Sequence, residues 1–265
     1  KNSSLLTSQN NKIMGKEKTF DEIVQDELTL ADTNAEHIWS LVDHDIQPPE
    51  ALLNYSNEPV IFKNSTVLIQ GKTGTHKSRF AAALVSLLLS DDMQMMQYGF
   101  SKQIPSYSPV IYIDTERDKK HQLPLMVKQL IKDTGISKEN LRKRLILLPL
   151  SEVSRDLRLN VLGKKVTHLN DQKPEDKSLV IVLDVISDFA RDFNSVEATN
   201  RINDALNYAN SKFDVTFITI IHENPGEGEK ARGHLGSELT NKASTIFQIA
   251  GVKGMPGTFR IKMLK

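Results

Sequence analysis

The sequence predicts an α/β fold, a mostly parallel central sheet flanked by helices, and three observations carry that prediction. Apolar runs rich in Val, Ile and Leu recur along the chain with helical patterns between them. Several of these runs are continuous rather than alternating, as strands covered on both faces require. Polar or acidic residues close the runs, at the edge where open α/β sheets bind ligands.

The elements follow in chain order. Residues 1–18 are rich in Asn, Ser and Lys and read as disordered; residues 19–59 read as a helical segment capping the main domain. Two short amphipathic helices are expected there, one on Phe20, Ile23, Val24, Leu28 and Leu30, the other on Ile38, Trp39, Leu41 and Val42. Pro48 and Pro49 end helical continuity, and residues 60–265 form the main domain. Its predicted strands are Thr66 to Gln70, Pro109 to Asp114, Arg144 to Leu150, Leu179 to Leu183, Val215 to Ile221, Ala243 to Ile249 and Thr258 to Met263. Helical patterns cover Lys77 to Leu89, Lys119 to Asp133, Lys138 to Leu145 and Ser195 to Lys212. The alternation implies right-handed crossovers.

Composition narrows the function classes. The 265 residues contain no cysteine, which excludes disulfides, thiolate metal sites and a cysteine nucleophile and suits a cytoplasmic location. No apolar run reaches the roughly 20 residues of a membrane span, so no membrane partner is expected. Residues 1–18 lack the apolar core of an export signal, and the missing initial methionine reads as a fragment. A net charge of +1 argues against one broad basic face, so contacts to nucleic acid fall to local clusters or to several subunits together.

Gly71-Lys72-Thr73-Gly74-Thr75-His76-Lys77-Ser78 joins a buried strand to a helix, the context of a phosphate loop. Its glycines let backbone amides surround a β-phosphate. Lys77 is placed to neutralise the β- and γ-oxygens and the Ser78 hydroxyl to ligate magnesium, so ATP and Mg²⁺ are the expected ligands. His76 stands where the pattern has glycine, and a side chain in a left-handed conformation there costs roughly 1 kcal/mol.

Three further strand ends add polar groups. Glu116, after Tyr112-Ile113-Asp114-Thr115, is the candidate base that orients a hydrolytic water. Asp184 closes Leu179-Val180-Ile181-Val182-Leu183 and is the candidate magnesium-associated carboxylate, with Asp188 either assisting it or capping the next segment. His222 and Asn224 end another strand and are candidate γ-phosphate sensors. A metal site on His222 is the weaker alternative, since no second histidine follows at i+3 or i+4.

Taken together, G-K-T-G-T-H-K-S, Y-I-D-T-E, L-V-I-V-L-D and I-I-H-E-N, followed by A-R-G-H-L-G-S-E-L-T-N-K-A, resemble the RecA-like ATPases. Within them the likeness is to RepA-type hexameric helicases and related ATPases of plasmids and mobile elements, particularly those of Bacteroides-like bacteria. It covers residues 61–265. The resemblance implies a homo-oligomer such as a hexameric ring, with Glu116 catalytic and Asp184 beside magnesium. It also implies a basic finger on a late strand, for which Arg260 and Lys262 are candidates beside the reading of solvated strand charges. The loop Asn224 to Gly236 carries Lys230, Arg232 and His234 without aromatic residues, which suits backbone contact to single-stranded DNA, beside the reading of a plain surface loop. A nucleotide-gated module acting through a protein partner is the alternative to a DNA motor. A small-molecule kinase comes third, since it has no need of Glu116 at a strand end.

Overall fold

The structure is a computed structural model that describes residues 18–171, 173, 177–226 and 228–265. The disordered reading of residues 1–18 falls, Lys18 apart, outside the described residues. The chain divides into two compact units, residues 1–49 and 50–265.

Among its described residues the first unit holds one helix, α1 (Phe20–Leu41), rather than the two short helices expected. Thr19 and Glu22 close its N-terminus as a reciprocal capping box. Between Leu30 and Ile38 stands neither Gly nor Pro, so nothing interrupts the hydrogen-bond ladder. None of its residues is buried.

The second unit starts at Glu50, so the last residues of the expected helical segment 19–59 are strand instead. β1 (Ala51–Tyr55) and β2 (Glu58–Phe62) form a hairpin through Ser56 and Asn57, both at positive φ as a two-residue turn requires. β4 (Met96–Gln97) and β5 (Phe100–Lys102) turn in the same way through Tyr98 and Gly99 and complete a four-stranded antiparallel sheet, order β2-β1-β5-β4.

The main sheet takes all seven predicted strands: β3 (Thr66–Gly71), β6 (Val110–Asp114), β7 (Leu145–Pro149), β8 (Leu179–Asp184), β9 (Val215–His222), β10 (Thr245–Gly251) and β11 (Phe259–Met263). Their order is β11-β10-β3-β9-β8-β6-β7, parallel throughout except for β11 at one edge. The molecule is therefore a mixed α/β structure with a seven-stranded, mostly parallel sheet flanked by helices. β8 is buried at every position, which is why its sequence runs continuously apolar up to Asp184.

On one face, α2 (Lys77–Leu89), α3 (Gln122–Thr134), α4 (Lys138–Arg144) and the small sheet share a core with the main sheet. Phe80, Phe100 and Phe247 meet there with ring centroids 5.4–5.5 Å apart, edge to face. On the other face lie α5 (Arg155–Asn170), α6 (Val196–Phe213) and α7 (Gly233–Lys242). Neither α5 nor α7 was expected from sequence: α5 carries Gly163 in its interior and buries Arg158, and α7 starts inside the stretch 224–236 read as loop. That loop ends at Arg232.

Among the described residues no helix is long and apolar enough to cross a membrane. The C-terminal ends of β3, β9, β8 and β6 lie side by side, and this row of strand ends positions the site.

Candidate functional site

Every strand in that row delivers one of the expected side chains. The turn from β3 into α2 needs two unusual backbone positions, Gly74 at φ 80° and His76 at φ 61°. His76 adopts the left-handed conformation expected of the glycine it replaces, and its ring packs edge-on against Phe259, centroids 4.5 Å apart. Gly71 is required for another reason: a Cβ there would stand 2.3 Å from the Ile249 carbonyl oxygen. No side chain caps the first turn of α2, so its amides stay available to an anion.

Lys77 is buried, and its ammonium donates to the carbonyls of Gly71 at 2.9 Å and Lys72 at 2.8 Å. Burial lowers its pKa, against the pull of Asp184, Glu116 and Glu223. It also lies 3.1 Å from His222 Nδ1. Because an ammonium can only donate, Nδ1 is the acceptor, which leaves Nε2–H to donate to Glu116 Oε1 at 3.3 Å. This hydrogen bond holds the Glu116 carboxyl below the usual carboxylate range. Lysine, histidine and glutamate thus form one connected chain across β3, β9 and β6.

The Ser78 hydroxyl donates to Asp184 Oδ1 at 3.0 Å. The other oxygen, Oδ2, accepts from Tyr112 Oη at 2.8 Å and from Arg117 Nη2 at 3.0 Å. Burial pushes the Asp184 carboxyl up, with the Arg117 guanidinium working the other way. Two hard oxygen donors, Ser78 and Asp184, suit magnesium, which fills most of its coordination with water and phosphate oxygens. Among the described residues no cluster of three or more His, Asp or Glu could enclose a metal by itself.

Several contributors were not singled out from sequence. Asp114 is buried and accepts from the backbone amides of Glu116 and Arg117 and from Arg117 Nε, so it shapes the turn that carries the candidate base. Glu223, next to His222 but on the opposite side of its strand, is buried and accepts from Gln70 at 3.1 Å and Gln248 at 2.8 Å. The signal was available: two glutamines interrupt otherwise apolar strands at paired positions of β3 and β10.

Other expected residues lie elsewhere. Asp188 faces α5, where Arg155 at 2.7 Å and Arg158 at 3.4 Å pair with it, so it does not assist Asp184. Asn224 is exposed, and its backbone amide bonds the Lys230 carbonyl at 3.0 Å. On β11, Lys262 pairs with Glu229 at 3.5 Å, while Arg260 is exposed and has no ion pair among the described residues.

Lys230 and Arg232 lie on the loop between β9 and α7, which is tied at three points to the end of β3 and the turn that follows it. Lys72 Nζ donates to Gly226 O, Gln70 Nε2 to Glu229 O and the Glu223 amide to Gly71 O. An open cleft of about 570 Å³ runs from Thr73, Lys77 and His222 past Glu116 and Arg117 to Met126 on α3. That volume is in the range of small-molecule sites. A scan of protein-family models finds no match to this sequence, and a search of curated proteins finds none either.

Proposed function

We propose that this chain binds ATP with magnesium at Gly71–Ser78 and hydrolyses it, as a RecA-like ATPase that acts on DNA through a homo-oligomeric ring in the cytoplasm. The observation that carries the reading is convergence from four neighbouring strand ends: Lys77, Ser78, Glu116 and His222 line one cleft, with Lys77, His222 and Glu116 joined by hydrogen bonds and the buried Asp184 bonded to Ser78.

Lys77 donates to carbonyls of its own loop. A triphosphate entering the loop offers that ammonium better acceptors, while the first-turn amides of α2 take the β-phosphate. Ser78 and Asp184 would hold magnesium, which supplies neutralisation of the phosphate charge when bound. Glu116, kept ionised by His222, orients a water for attack on the γ-phosphate and accepts its proton. When Lys77 turns to phosphate, His222 Nδ1 loses its donor, so histidine and glutamate respond together to an occupied site. The three bonds that tie Gln70, Gly71 and Lys72 to residues 223–229 give that response a path to Lys230 and Arg232.

Phosphate release and nucleotide binding test the reading. Lys77→Ala should abolish ATP binding, and Glu116→Gln should keep binding while reducing turnover about 1,000-fold. Full turnover by the glutamine variant would remove Glu116 as base. Stimulation of turnover by single-stranded DNA supports the DNA motor; indifference to DNA supports the nucleotide-gated regulatory module instead.

A further inference from the structure

The excess positive charge of the second unit is concentrated in one place. Residues 50–265 carry 30 Lys and Arg against 24 Asp and Glu, and residues 119–144 alone carry eight against two. That segment is the run into α3, α3 itself and α4, at the β6–β7 end of the sheet.

Part of this charge is already engaged. Arg144 pairs with Asp91 and lies over the Tyr107 ring, Lys119 pairs with Glu152, and Lys143 pairs with Glu139. Lys120, Lys128, Lys132, Lys138 and Arg142 are exposed and have no ion pair among the described residues. Their placement is ordered by the helices. Lys128 and Lys132 are four residues apart on α3, on the side away from the buried Leu123, Met126 and Leu130. Lys138 and Arg142 repeat the spacing on α4, to one side of the buried Leu141, and both are exposed. Side chains so spaced stand about 6 Å apart on one helix face, close to the repeat of phosphates along an extended strand.

We infer that the outer face of α3 and α4 is a binding surface for the phosphodiester backbone of nucleic acid, separate from the loop 224–232. The segment 119–144 contains no Phe, Tyr or Trp, so it has no ring on which to stack bases, and its contacts are electrostatic and independent of sequence. An acidic protein surface is disfavoured as the partner, because the face exposes a row of cations with a single large apolar side chain, Leu125, among them. The inference does not depend on nucleotide chemistry at Lys77.

The test is fluorescence anisotropy of a labelled oligothymidylate over a series of salt concentrations, with the full chain. In Lys128→Glu/Lys132→Glu/Lys138→Glu/Arg142→Glu the affinity should fall about 100-fold or more at low salt, and the slope of log K against log salt should shrink by about 3, from about 0.7 per lost phosphate contact. An unchanged thermal unfolding curve shows that the exposed substitutions spare the fold. The titrations are run without nucleotide or magnesium, so their outcome is separate from the nucleotide reading at Lys77. The proposal is overturned by unchanged affinity in the fourfold variant, or by displacement of the oligonucleotide by polyglutamate at equal charge, which would mark a surface for acidic protein.

Discussion

In the proposed hydrolysis Glu116 serves as base in its ionised form, which the hydrogen bond from His222 favours. Its folded pKa is depressed, so the stabilisation from this contact is present above the ordinary carboxylate pKa and is lost as pH falls through the lowered value. The same sign governs turnover. In His222→Ala the acidic limb of the pH–kcat profile should move upward and kcat should drop about 100-fold; an unmoved limb would show that histidine does not set the charge of Glu116. Glu223 does different work one residue on. Glu223→Ala leaves the buried Gln248 amide without its acceptor and removes one of two from Gln70, and should cost about 3 kcal/mol in denaturant unfolding. The sequence marked Lys77, Ser78, Glu116 and Asp184 because strand ends and loop spacing reveal such residues. Arg117 was hidden because it bridges Asp114 at the end of β6 to Asp184 at the end of β8, a contact that no local pattern encodes.

At the scale of elements, the seven-stranded sheet was legible and the four-stranded sheet was not. The seven strands of the main sheet announce themselves as apolar runs, but β4 and β5 have two and three residues, too few for any alternation to register. Their position follows instead from the Tyr98–Gly99 turn and from Phe100, which fills the core beside Phe80. α5 was illegible for a related reason, since the buried Arg158 sits where an apolar residue would mark the face; it bonds the carbonyls of Val153 and Asp188. β5 also contains a buried cation. Lys102 donates to the Ser90 carbonyl, and burial lowers its pKa to about 8. The unfolded chain therefore binds more protons than the folded one between about pH 8 and 10.5, and stability from this group rises with pH across that window. Lys102→Met, which removes the buried charge, should be at least as stable as the native chain at pH 7, and its advantage should shrink as pH rises past 8. A constant difference between the two melting curves would contradict the assignment.

For the whole molecule, a net charge of +1 concealed a division. Residues 1–49 carry four Lys against nine Asp and Glu, and α1 has six acidic residues with no Lys or Arg. The second unit holds the compensating excess, so a sum over the chain was a poor guide to the surface of either unit. The topology, by contrast, follows the sequence closely, because alternating buried strands and helices admit few parallel arrangements. That topology brings β3, β9, β8 and β6 together in order, and the ATPase reading rests on what their ends do jointly. Hydrogen exchange of the full chain, with and without magnesium and ATP, tests this most directly. The account predicts slowed exchange at the amides of residues 74–78, absent in Lys77→Ala. Exchange unchanged at those amides, or slowed only at sites remote from them, would contradict it.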